Sequence, residues 1–465
     1  MENHGAPTLP LQGVRILSVE DYLQLPWCTV ILADMGAEVI RVESLARVET
    51  RTMGPYPDNR PGQRFWDQGG IHHLWNRNKR SLTLDLTKPQ GVDASKRLVA
   101  ISDVVAENNR AGVMERFGLD YEALRQVKPD IIMLRTTGYG QTGAWRRYGA
   151  FARTVDAVTG LSHLTGYKGG PPVRANPSYM DITAAWNNAL VILMALHYRR
   201  RTGKGVFIDM SMYETGISCI GVALLEYQTS GTYPPRMGNA HRWMVPHGCY
   251  PCAGQDEWVT IAVRTEEEWK RLCQVMGRPD LLEDPRFATY EARWANQDAL
   301  DALIARWTRT LDKRTVMLRL QEQGIPSASV FHAKDLLTDP HFRQRGFFER
   351  YTHPPEVEGV GTRVYTVRPY QFSRSRGSIR FIARLGEHNR PVLADLLGYS
   401  PEAIAEMELA GVIGTEPVDA ERLRPRPSPP EAQVRLGSSA FWDPDYRKVL
   451  ALEEQQEGGA HDAQA

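Results

Sequence analysis

A carboxylate set immediately ahead of a long apolar segment is the residue of this chain best placed for covalent chemistry. Asp181 is followed by Ile182, Thr183, Ala184 and Ala185, and an apolar stretch from Ala189 to Leu196 leads to Arg201, Thr202, Gly203, Lys204 and Gly205, then to Val206, Phe207, Ile208, Asp209 and Met210. The order reads as carboxylate, helix, tight basic turn, strand. Trp186, Ala189, Leu190, Leu193, Met194 and Leu196 recur at three-and-four spacing, which gives the helix one broad buried face. Asp181 or Thr183 is expected to cap it. Exposed N–H groups and the positive end of the helix dipole would hold the carboxylate ionised, ready to accept hydrogen bonds or to act as a nucleophile. A plain N-cap has the same signature, so the surrounding residues must decide between the two.

Other reactive types are less persuasive. Cys249 and Cys252 stand in CxxC spacing with His241 and His247 upstream, but no second cysteine pair follows, and the motif runs toward a strand at Trp258 to Val263 instead of opening a helix; buried thiols are the expectation. Thr202 to Gly205 resembles a phosphate loop only superficially, since it connects helix to strand and lacks the earlier glycine. Glu43 ends a strand where a dinucleotide-binding fold places its ribose-binding acid. Between the first strand and its helix, however, Glu20 to Pro26 contains no GxGxxG, which disfavours nicotinamide or flavin. Lys79, Arg80 and Arg110 are candidate partners for anionic phosphates.

The elements that must carry these residues are legible in outline. Val14 to Val19 reads as a buried strand, Trp27 to Met35 as a helix ended by Gly36, and Ala37 to Val42 as a second strand, a βαβ unit that predicts an α/β fold with ligands at the carboxyl ends of its strands. Further strands are expected at Ser81 to Leu86, Asp103 to Ala106 and Ile131 to Arg135, with helices over Gly91 to Ile101 and near Tyr121 to Gln126. The loops Asn76 to Ser81, Glu107 to Gly112 and Thr136 to Gly143 would then gather along one edge. Beyond Tyr233 a long loop opens a second domain, in which Thr265 to Glu268 forms a capping box. Val357 to Val367 is strand-like, and Arg390 to Leu397 and Ile404 to Leu409 read as closing helices. Pro417 to Pro430 reads as extended linker, Phe441 to Tyr446 as an aromatic segment that docks on its own subunit or another, and 460–465 as disordered.

Composition narrows the function classes. The 465 residues are 42% hydrophobic, enough for two or three cored domains, and 56 basic against 55 acidic residues leave a net charge of +1. Nothing favours nucleic acid or an anionic membrane as partner, which leaves small molecules. Five cysteines make no disulfide framework, and neither a signal peptide nor a run of about 18 apolar residues is apparent, so a cytoplasmic location is expected.

Taken as a series, Leu11 to Leu17, Leu32 to Glu43, Asn78 to Leu84, Glu107-Asn108, Gly138 to Gly143, Asp181, Arg201 to Gly205, Gly324 to Pro326 and Leu385 to His388 resemble the class III CoA-transferase family, which includes formyl-CoA and crotonobetainyl-CoA transferases. The resemblance covers residues 9–414. It implies a Rossmann-like parallel-sheet large domain built from both chain ends (9–232, completed by 346–414), an inserted smaller α+β domain (233–345), an extension over 415–465 outside the pattern, and an interlocked homodimer. Asp181 falls on the family's nucleophilic aspartate, which forms an acyl anhydride and then an aspartyl-CoA thioester while coenzyme A passes from an acyl-CoA donor to a carboxylic acid. No cofactor is implied beyond coenzyme A itself, and no metal. Carried over by position, the coenzyme-binding surface comprises Gln24, Leu84, Asp85, Asn108, Asn109, Arg116, Thr137, Gly138, Tyr139 and Met212. Ser44 stands where some members carry a base, so Arg47 is the expected partner of the nucleotide phosphate. Thr137 replaces a lysine of some relatives and Asn109 an aromatic, and residues 240–245 replace the glycine run of formyl-CoA transferases, which argues against oxalate as acceptor. The alternative on the same scaffold is an acyl-CoA racemase. Its His-Asp pair would fall near Gly149 to Phe151, where no histidine occurs, and Asp181 would lack a second base. A dinucleotide-dependent oxidoreductase is the third reading.

Overall fold

Apolar runs bounded by polar loops become six parallel strands in the computed structural model, which describes residues 9–174 and 178–452. The strands are β1 (Arg15–Val19), β2 (Glu38–Glu43), β3 (Lys79–Thr83), β4 (Val104–Glu107), β5 (Ile132–Thr137) and β6 (Val206–Ser211), ordered β3-β2-β1-β4-β5-β6. This is the expected α/β sheet. Because strand side chains alternate, neighbouring residues feed opposite cores: Leu17, Ile40, Val105 and Met133 enter one, Ile16, Val39, Val104 and Ile132 the other. The first core is closed by the Pro89–Ala100 helix and, from the far end of the chain, by Val392, Leu393, Ile404 and Met407. The second is closed by the Gln24–Asp34 and Tyr179–Thr202 helices through Leu25, Leu32, Ala185, Ala189 and Ile192. By length and composition alone, Tyr179–Thr202 could cross a bilayer, which amends the expectation that no such run exists; its alanine face packs on the sheet, whereas Leu190, Leu193 and Met194, expected on the buried face, are exposed.

Strand β3 begins at Lys79, earlier than Ser81, and this reverses one expectation. Asn76 to Asn78 precede the strand at its amino end, so that loop does not join the ligand-binding edge. Lys79 is buried and gives its ammonium to Glu20 Oε1 at 2.7 Å and to the carbonyl of Pro26, while Arg80 pairs with Glu38. Both are structural and neither is a phosphate partner. Glu43 is likewise committed: Arg51 and Arg41 hold its carboxylate at 2.7 and 2.6 Å and Ser81 donates to it, so it is no ribose ligand. Burial opposes its ionisation, yet the two guanidinium groups keep it well below the usual carboxylate range.

The chain divides into two compact units, one formed by residues 1–159, 176–220 and 340–465, the other by 160–175 and 221–339. The expected boundaries at 233 and 345 therefore lie inside the second and first units respectively. The second unit holds an antiparallel sheet of β7 (His247–Pro251), β8 (Trp258–Ala262) and β9 (Ser327–Ser329) over a core that includes Tyr250, Val259, Trp269, Leu272, Phe287 and Ile304. Thr265 and Glu268 form the expected capping box on the Glu266–Val275 helix. Cys252 and Cys273 are buried, Cys249 is half-buried, and no group of three or more metal-ligating side chains occurs among the described residues.

Back in the first unit, β10 (Phe348–Thr352) and β11 (Thr362–Thr366) form a two-stranded ribbon, so only part of 357–367 is strand. The segment from 415 onward is not simply extended, since short helices form at Ala420–Leu423 and Pro430–Arg435. It lies along residues 45–65 through Val418 on Leu45, Arg424 on Gly62 and over the Phe65 ring, and Tyr446 and Arg447 on Asp58. Tyr446 thus docks within its own chain, whereas Phe441 stays exposed. The expectation for 460–465 falls outside the described residues.

Candidate functional site

At the carboxyl edge of a parallel sheet, strand order reverses between β1 and β4, and the loops that follow them part to leave a crevice. Asn108, just after β4, fastens that switch point. Its side-chain amide donates to the carbonyl of Asp21 at 2.8 Å and accepts from the Asp21 N–H at 3.0 Å, which fixes the loop after β1. Tyr22 sits in that loop in left-handed backbone (φ 60°), its N–H held by Thr50 and its ring edge-on to Phe151 at 5.4 Å. Thr136, near the end of β5, accepts hydrogen bonds from Gln24 at 2.6 Å and Asn188 at 3.1 Å and so ties the helix that carries Asp181 to the sheet.

The crevice is a cleft of about 100 Å³ lined by Tyr22, Gln24, Asn108, Arg110, Thr136, Thr137, Gly138, Tyr139, Arg146, Tyr148, Ala150, Phe151, Ala152, Asp181 and Met212. The structure therefore brings Asp181 together with Gln24, Asn108, Thr137, Gly138, Tyr139 and Met212. Gly138 is required where it stands, because a Cβ there would lie 2.1 Å from that of Ala150. Its carbonyl accepts from the N–H of Tyr213, which joins the glycine loop to the start of the Met212–Cys219 helix.

The remaining expected residues lie elsewhere. Leu84 is buried in the core, and its N–H donates to the carbonyl of Glu43 at 2.9 Å. Asp85 caps the turn to Thr87, and the N–H of Asn109 is held by Glu107 at 2.6 Å. Arg116 borders a separate depression of about 550 Å³ with Lys88, Lys96 and Phe117. Sequence reasoning did not single out Tyr22, Thr136, Arg146, Tyr148 or Phe151. Arg146 and Tyr148 had a usable signal, as they follow Gly143 in the loop after β5, the strand at whose carboxyl end a ligand was expected.

Asp181 is the third residue of the Tyr179–Thr202 helix, so it does not cap it; Ser178 holds the cap position in left-handed backbone (φ 35°) with no side-chain cap bond. Nor is the carboxylate held ionised as the dipole argument implies. Burial, followed by repulsion from the fully buried Asp156, raises its pKa to about 6, against a hydrogen bond with Ser178 that lowers it. A desolvated carboxylate that still ionises near neutral pH is a better nucleophile than a hydrated one.

The CoA-transferase family III model matches residues 11–389 of this chain. The chain is 36% identical over 409 residues, 88% of its own length and 99% of the relative, to a succinyl-CoA–D-citramalate CoA-transferase of Chloroflexus aurantiacus. It is 37% identical over 354 residues, 75% of its length and 87% of the relative, to a succinyl-CoA:mesaconate CoA-transferase of Haloarcula hispanica. Among solved structures, a CAIB/BAIF family protein from Brucella suis superposes with a TM-score of 0.76 at 32% identity, covering 84% of this chain and 100% of that one.

Proposed function

The chain belongs to CoA-transferase family III, and we propose that it moves coenzyme A from an acyl-CoA to a free carboxylic acid through covalent intermediates on Asp181. The observation that carries this reading is a half-buried carboxyl of raised pKa at the switch-point cleft, among residues expected to touch coenzyme A. In the first step an Asp181 oxygen attacks the thioester carbonyl, the C–S bond breaks, and coenzyme A leaves as thiolate from a mixed anhydride. The thiolate then attacks the Asp181 acyl carbon, which releases the donor acid and leaves an aspartyl-CoA thioester. The acceptor carboxylate attacks that thioester to give a second anhydride and thiolate, and thiolate attack on the acceptor's acyl carbon yields the new acyl-CoA and free Asp181. Each bond broken is matched by one of similar energy, so the route needs neither ATP nor metal. The backbone N–H groups of Gly138 and Tyr139, two residues of the cleft lining, are our candidates for holding the developing oxyanions. Leu84, Asp85, Asn109 and Arg116, along the same edge of the sheet, extend the proposed coenzyme surface beyond the cleft.

Asp181→Ala is expected to lower kcat by roughly 10³-fold or more while the fold is kept, and mass spectrometry of wild-type enzyme mixed with acyl-CoA is expected to find a coenzyme A adduct on the peptide holding Asp181. Full activity in the variant would end this reading. The relatives are named for succinyl, citramalyl and mesaconyl groups, all four- or five-carbon dicarboxylates, and we take that class as the substrate here. We further propose a homodimer. Leu190, Leu193, Met194 and Tyr198 form an exposed stripe on the Tyr179–Thr202 helix that a second copy would cover. Light scattering on the purified protein should give twice the 52.5 kDa chain mass, and a monomer at micromolar concentration would contradict it.

A further inference from the structure

The cleft holds charges of opposite sign, and only one sign has a task in the steps above. Asp181 belongs to it together with Arg110 and Arg146, both exposed, each from a different loop. Carboxylates in the surrounding loops are already engaged. Glu107 and Glu115 both pair with Arg135 at 2.5 and 2.6 Å, Asp21 is bound by Thr50 and the N–H of Tyr22, and Asp209 accepts from the N–H of Gln141. Among the described residues, neither Arg110 nor Arg146 has a carboxylate partner. Arg110 is also seated: Gly149 is so close that a Cβ there would lie 2.8 Å from Arg110 Nη2. Tyr22, Tyr148, Phe151 and Met212 give one part of the wall an apolar or aromatic character, while Gln24, Asn108, Thr136 and Thr137 supply its polar part.

We propose that Arg110 and Arg146 bind the distal carboxylate of a dicarboxylic acyl group, and so select four- and five-carbon diacids over monocarboxylic acids of the same length. The inference rests on the CoA-transfer reading and assigns the two residues a role in it. A forked guanidinium matches a carboxylate in two parallel hydrogen bonds, and two such groups without internal partners offer an anion more than their number of exposed charges suggests. Coenzyme A phosphates are the other anions available, but Arg116 and Lys96 border a depression of their own past the end of β3, which leaves the two cleft arginines to the acyl end. The apolar part of the wall, Tyr22, Phe151 and Met212, suits the methylene chain between the reacting carbonyl and the distal charge.

The test compares succinyl-CoA with butyryl-CoA, which differ at the far end of the acyl chain, using full-length enzyme and the variants Arg110→Gln, Arg146→Gln and the double variant. The quantity read is the ratio of kcat/KM for the two thioesters, with thermal midpoints confirming that each variant is folded. Each single substitution is expected to lower the succinyl-to-butyryl ratio by about 10-fold and the double by about 100-fold, in line with the loss of charge-assisted hydrogen bonds. Arg→Lys at either position should recover only part of the ratio, since it keeps the charge and loses the fork. A ratio unchanged within about twofold overturns the proposal, whether both thioesters weaken together, as they would if the arginines held coenzyme A, or neither does. The coenzyme A adduct on Asp181 is scored separately in wild-type enzyme. Its presence with an unchanged ratio refutes only the arginine assignment, and its absence with both thioesters refutes the transfer reading as well.

Discussion

Asp181 is pulled in opposite directions by its neighbours, and the balance sets the pH at which it can react. Burial and Asp156 favour the protonated acid, Ser178 the anion. Because only the anion attacks a thioester, kcat/KM should fall on the acid side with a limb near pH 6, and Asp156→Asn, which removes the repelling charge, should move that limb to lower pH. A limb unmoved in Asp156→Asn would show that burial alone sets the shift. The same balance affects stability. The folded protein binds this proton more tightly than the unfolded chain, whose carboxyl sits near 3.8, so the site stabilises fully below that pH and loses its contribution as pH rises toward 6. Asp181→Asn should therefore melt higher than wild type above pH 7, by a few degrees at most, and lose that advantage near pH 4. The sequence disclosed the carboxylate and the helix behind it. It could not disclose the partner, because Asp156 arrives from a separate helix and the dipole argument knows nothing of burial.

Elements position the cleft through few contacts, and those contacts are the sensitive ones. Gly138→Ala would place a methyl against Ala150, a residue of the cleft wall, and should cost about 1 to 3 kcal/mol of overpacking together with a rise in KM for acyl-CoA; chemical denaturation and steady-state kinetics read the two effects separately. If neither changes, the glycine loop is softer than its geometry implies. At this scale the β1–helix–β2 unit, the strands near 104 and 132 and the helix over Pro89–Ala100 were legible, because hydrophobic period and turn residues are local. Strand β3 was misplaced because Lys79 and Arg80 look like loop residues until Glu20 and Glu38, distant in sequence, are seen to neutralise them. The same blindness made Glu43 resemble a ribose ligand, when Arg51 occupies it. Motifs inherited as a pattern located Gln24, Asn108, Gly138 and Met212, yet not the aromatic wall of Tyr22, Tyr148 and Phe151, whose positions carry no periodic signature.

Across the whole molecule, residues from the two ends of the chain meet in an unusually neutral histidine cluster. His73 lies 4.3 Å from the His353 ring, Tyr365 bridges them at 3.3 and 2.7 Å, and His72 and Arg363 lie close by. Burial holds His73 down to about 4, helped by Arg51 and Arg363 and opposed by its bond to the Asp67 carbonyl, and burial with His73 and Arg363 holds His353 lower still. Both rings must gain protons on unfolding at mildly acid pH. Their contribution to stability is therefore complete above the ordinary histidine value of 6.5 and declines as pH falls below it. Urea midpoints measured from pH 8 to 5 should drop across that window, and His73→Asn with His353→Asn should flatten the profile; an equal slope in the double variant would place the acid sensitivity elsewhere.

The return of the chain onto β3 carries a further implication. The N–H of Asn78 is met by the carbonyl of Phe381, the carbonyl of Ser81 by His388, and the N–H of Thr83 by the side chain of Asn389. Until translation reaches those positions, the outer margin of the sheet has synthesised its hydrogen-bonding groups but not their partners. A nascent polypeptide that stalls between the two halves would thus offer an adhesive ribbon to its neighbours on the polysome, and chaperone engagement should concentrate on residues 78–83 for as long as that margin stays bare.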